Sequence, residues 1–162
     1  MAAGDGKIEY GAADQAITIT LLSLAQAACR GSAAIDNTTN KFKDAIVYLG
    51  IPILTGTPAS DKVINVYAYG SEDGTNYDDN ALGTDAAITL RVPTNLKLLG
   101  QIATPDGGAL TYKKTFRVAW AFDGVLPPKW GIAVENRTNL AFNATEANII
   151  KLYRGVYDTV AP

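Results

Sequence analysis

Apolar and polar residues alternate with a period of two in one segment of this chain after another. Residues 16–22, AITITLL, put Ile17, Ile19 and Leu21 on one side and Thr18 and Thr20 on the other. In residues 63–70, VINVYAYG, Ile64, Val66 and Ala68 oppose Asn65, Tyr67 and Tyr69. In AITLRV, residues 87–92, Ile88, Leu90 and Val92 share a side. Phe116, Val118, Trp120 and Phe122 do so in TFRVAWAF, and Trp130, Ile132 and Val134 in KWGIAVEN. Successive side chains of a strand point to opposite faces, so this pattern builds strands with one side on a core.

Turn chemistry separates the strands: IDNTTN, TGTPASD, GSEDGTNYDDN, TPDGG and DGVLPP. Glycine supplies positive φ, proline presets one dihedral, and Asn or Asp caps its own backbone. Nothing reads as a βαβ unit. The expected fold is all-β, a two-sheet β-sandwich of jelly-roll type with eight to ten strands. Residues 23–33, SLAQAACRGSA, contain helix formers but lie between strand signals, and read as strand and turn. Two segments, DAIVYLGIPIL (44–54) and NIIKLYRGVY (148–157), are apolar on both sides. Each reads as a strand buried on both faces or covered by another subunit. Residues 1–12, rich in Ala and Gly, read as a flexible amino-terminal arm, which leaves 13–162 as one β-sandwich domain.

The 162 residues are 48% hydrophobic and 19% charged, enough apolar material for a real core. Net charge is −2 and the basic residues are scattered, which argues against a nucleic-acid surface. The longest nearly apolar run, residues 45–54, contains a proline and is about half of the ~20 residues a helix needs to cross a bilayer, so no membrane partner is expected. The start shows no basic stretch followed by an apolar one, and synthesis in the cytoplasm is expected.

The chain has no histidine, which removes the usual base of Ser and Cys nucleophiles and any His-bearing zinc site. Its single cysteine, Cys29, reads as a small buried apolar residue. The acids of residues 71–80 miss the EF-hand pattern: from Asp73 the glycine comes second and the twelfth place is Thr84. An Asp-Gly turn with solvated acids is the plainer reading. The four glutamates, Glu9, Glu72, Glu135 and Glu146, form no carboxylate pair that sequence can place. The expectation is therefore no catalytic residue, no metal and no cofactor. Tyr67, Tyr69, Tyr77 and Trp130 are the candidate binding residues, as an aromatic surface or interface. Trp130 follows LPPK at a strand start and is expected to be half exposed, whereas Trp120 is expected on a core face.

The order of segments GSAAIDNTTNKFKDAIVYL, VYAYGSEDGTNYDDN, PTNLKLLGQIATP, LPPKWGIAVENRTN and LYRGVY resembles small structural proteins of tailed-phage virions. The resemblance spans residues 30 to 157 and carries no catalytic motif. It implies a capsid decoration or cement protein, located in the virion, whose partners are the major capsid protein and further copies of itself. A tail or fibre component with a carbohydrate-binding sandwich is the alternative.

Overall fold

Strands that alternate in this way must each bury one side. In the computed structural model of the chain, two antiparallel sheets do so against each other. The structure describes residues 6–13, 15–106 and 110–160. In chain order the strands are β1 (Gly6–Tyr10), β2 (Gln15–Ala16), β3 (Cys29–Gly31), β4 (Ile35–Asp36), β5 (Asp44–Pro52) and β6 (Val63–Ser71). They continue with β7 (Ala86–Ile88), β8 (Lys97–Ala103), β9 (Thr111–Arg117), β10 (Lys129–Arg137) and β11 (Ile150–Val160). Among the described residues eleven strands stand where eight to ten were expected, because β2 and β4 are two-residue pairings too short to leave a sequence pattern. The first sheet has the order β1-β11-β5-β9, with β2 also on β11. The second has the order β7-β3-β10-β6-β8, with β4 also on β10.

The inner faces meet as the alternation requires. Val47, Leu49 and Ile51 of β5 face Ile64, Val66 and Ala68 of β6 and Trp130, Ile132 and Val134 of β10 in one buried cluster. Each large side chain so buried contributes about 1.5–3 kcal/mol. Ile17, Ile19 and Leu21 join this core as the chain crosses between sheets. Ile17 N donates to Lys151 O of the first sheet (2.9 Å), and Thr18 O accepts from Ala33 N beside the second (2.7 Å). Residues 23–33 hold turns and strand β3, as expected.

The outer faces differ from each other. That of the second sheet is roofed by its own chain: Tyr77, Ala81, Leu90 and Leu96, from the loops on either side of β7, pack on Cys29, Tyr67, Tyr69, Ile88 and Ala133. The first sheet has no such roof among the described residues. Its outward positions, read from the register Leu152↔Tyr48, Arg154↔Ile46 and Tyr10↔Val156, carry Ile8, Tyr10, Ile46, Tyr48, Leu152 and Val156, with Arg154, Asp158, Thr115 and Arg117 among them.

Two expectations need correction. The part of the expected arm that the structure describes includes a strand: β1 pairs with β11 from Gly6↔Val160 to Tyr10↔Val156. Trp120 is not on a core face but 74% exposed. Strand β9 ends at Arg117, and residues Ala119–Phe122 form a 3-10 turn. The buried carboxylate of Asp44 causes the break, accepting from Arg117 Nε (2.7 Å) and from Ala119 N (2.9 Å) and drawing the chain out of the ladder.

Candidate binding surface

Tyr67, Tyr69 and Tyr77 are brought together beneath and within the roof of the second sheet. Trp130 lies on the opposite face of that sheet. Exposure corrects the aromatic-surface expectation for Tyr69 and Trp130, which are each 0% exposed. Trp130 stands edge-on to Tyr153 with centroids 5.4 Å apart, inside the main core. Alternation had already grouped it with Ile132 and Val134, and that grouping overrides its place after a proline pair.

Tyr69 points outward from β6, as parity requires, but Tyr77 of the covering loop packs edge-on against it at 5.7 Å. Its hydroxyl donates to Ser32 O (2.5 Å). Burial pushes the Tyr69 phenol up to about 12. Tyr67 is half-buried beside Glu135, to which its hydroxyl donates (3.1 Å), while Asn65 Nδ2 donates to the same carboxylate oxygen (2.7 Å). Burial and then the Glu135 charge push the Tyr67 phenol up to about 12. These tyrosines hold a roof in place. The Cys29 thiol beneath it is likewise pushed up to about 12, by burial first and then by Glu135, so it is a poor nucleophile.

The acidic loop is organised around its own backbone. Asp73 Oδ1 accepts from Thr75 N and Asn76 N (both 2.8 Å) and from Ser71 Oγ (3.0 Å), which holds its carboxyl well below the ordinary range. Asp78 Oδ2 accepts from Gly70 N (3.0 Å). Asp79 takes Thr94 Oγ1 (2.7 Å), Asn95 N and Asn95 Nδ2 (2.9 Å), tying the loop before β7 to the loop after it. Among the described residues no group of three His, Cys, Asp or Glu side chains is placed to hold a metal ion.

Among the described residues, two surfaces with apolar or aromatic side chains stand out as open to a partner. The first is the bare outer face of the first sheet, where Tyr10, Ile46, Tyr48, Leu152 and Arg154 line a shallow cleft of about 300 Å³. The second surrounds Trp120, whose ring has the Arg117 guanidinium 5.5 Å from its centroid, with exposed Leu98 across the cleft. The two-sided apolar character of residues 44–54 and 148–157 pointed to the first, as a strand face covered by another subunit. Sequence reasoning missed the second, because it put Trp120 on a core face. No protein-family model matches the chain, and no curated protein matches it.

Proposed function

We propose that this chain is a virion structural protein of a tailed phage, a decoration or cement protein that binds the assembled head shell and associates with itself. The observation that carries the reading is the unroofed face of the first sheet. A sheet face left to water normally carries polar residues at alternate positions. Here Ile46, Tyr48, Leu152 and Val156 hold those positions in the middle of the sheet. These side chains are half-buried and surround the exposed Arg154, and an apolar patch with an arginine in it, on a rigid body, is what a protein partner covers. The phage resemblance of residues 30–157 supplies the class of partner, the major capsid protein. A ligand that binds the closed shell and not its open form stabilises the shell by mass action, and many copies reinforce one another through high effective concentration. We read the strand order, with β11 between β1 and β5 and β10 between β3 and β6, as jelly-roll wrapping.

The test mixes purified protein with shells that lack it. Co-sedimentation and a higher temperature of shell disruption are expected; no retention on shells overturns the reading. One observation favours a second reading, a carbohydrate-binding tail component: Trp120 presents an exposed indole beside Arg117 and Lys114. Retention on a glycan array that Trp120→Ala abolishes would select it, and no retention removes it.

A further inference from the structure

A sheet edge presents unpaired N–H and C=O groups to any other strand, and proteins usually guard it with short length, bulges or charge. Three edges of this sandwich are guarded. Strand β7 has only three residues. Strand β8 breaks register against β6 between Val66 and Tyr67, with Gly100 at φ 148°. Strand β9 carries adjacent lysines, Lys113 and Lys114, one toward each face. Among the described residues, strand β1 has no bulge or proline and no like-charge pair: its five exposed residues stand in unbroken register with β11, and its two charges, Lys7 and Glu9, are of opposite sign, so they do not repel a second copy of the same strand.

The direction of its free groups follows from one hydrogen bond. Gly11 N donates to Gly155 O (2.9 Å). Counting by two along the register assigns the backbone groups of Glu9 and Lys7 to β11 as well. Those of Gly6, Ile8 and Tyr10 therefore point away from the sheet. We infer that β1 is a homodimer edge, pairing antiparallel with β1 of a second copy about a two-fold axis at Ile8.

This register sets Ile8 against Ile8 and Gly6 against Tyr10, all with outward-pointing backbone groups. Lys7 then faces Glu9 of the other copy, twice. These two ion pairs fall at the non-hydrogen-bonded positions, where side chains approach most closely. The space above Gly6, where an added Cβ would meet nothing within 4 Å, receives the Tyr10 ring of the other copy. The two neighbouring registers that backbone parity also permits are disfavoured by charge: one sets Lys7 against Lys7, the other Glu9 against Glu9. A partner with this strand's own sequence therefore fits in a single alignment, and the partner is a second copy. Exposed Ile8 (67%) and Tyr10 (58%) become covered, and the bare faces of the two first sheets join.

The inference rests on the self-association in the function proposed above, and shell binding is read separately, so the two can fail independently. Sedimentation of the full chain should give twice the monomer mass, dissociating on dilution. Ile8→Pro removes only an outward N–H and should be monomeric with an unchanged far-UV spectrum. Lys7→Glu and Glu9→Lys should each raise the dimer dissociation constant about tenfold or more, two favourable charge pairs having become unfavourable. Mixed together, the two charge variants should pair with each other, since both cross-strand pairs are then opposite in sign. Wild-type protein that stays monomeric at hundreds of micromolar overturns the inference, even if it binds shells. So does a Lys7→Glu variant that dimerises like wild type, or charge variants that do not pair on mixing. A dimer with these properties that ignores shells supports the edge and overturns the cement reading.

Discussion

Gly131 shows how tightly single positions are held. It lies opposite Tyr69 in the β10–β6 register, and the phenol ring lies across it. A Cβ at Gly131 would fall 2.3 Å from Tyr69 Cζ and Oη. Gly131→Ala must push the ring off its Ser32 acceptor and away from Tyr77. The expected loss is about 2–3 kcal/mol in urea denaturation, from overpacking together with a lost hydrogen bond. Tyr69→Phe keeps the ring and loses only the hydroxyl, and should cost about 1 kcal/mol. The same tyrosines set an alkaline limit. Tyr67 and Tyr69 are both raised to about 12 in the folded chain, against about 10 when unfolded. The folded state therefore retains protons that the unfolded state loses. Stability from these phenols is fully present below about pH 10 and lost as pH rises through about 12. A spectrophotometric titration should show these two among the late-ionising tyrosines, followed by unfolding.

At the scale of elements, the roof over the second sheet is a unit held by side-chain clips. Asp79 joins the loop before β7 to the loop after it through Thr94 and Asn95. Asp79→Ala should raise amide hydrogen exchange across residues 72–96 while β5, β6 and β10 keep their protection, because the main core does not depend on that clip. The strands themselves were legible in the sequence: β6 and β10 follow the alternation residue by residue, since each needs only a local pattern and one core. Trp120 was not legible. Parity was extended past Arg117, where the Asp44 carboxylate, 73 positions back in the chain, ends the strand. The roof was not legible for the same reason. Period two places Tyr67 and Tyr69 outward correctly, but whether water or the chain itself meets them depends on pairings such as Asp79 with Asn95, which leave no local mark. The two-sided apolar segments gave a truer sign: β5 and β11 carry the face that nothing in the described chain covers.

The whole molecule is a plate with one finished side and one unfinished side. Leu152 sits in the middle of the unfinished side. Leu152→Glu should leave the urea midpoint close to wild type, as expected for a surface change within about 0.5 kcal/mol, yet release the protein from shells. Co-sedimentation on shells, with denaturation of the same sample, separates the two effects. The guards on β7, β8 and β9 have a further consequence. The two-fold join inferred for β1 would consume the same ribbon from both molecules. If β1 pairs as inferred, no unguarded edge strand among the described residues is left to carry pairing further, and growth through sheet edges should halt at the pair.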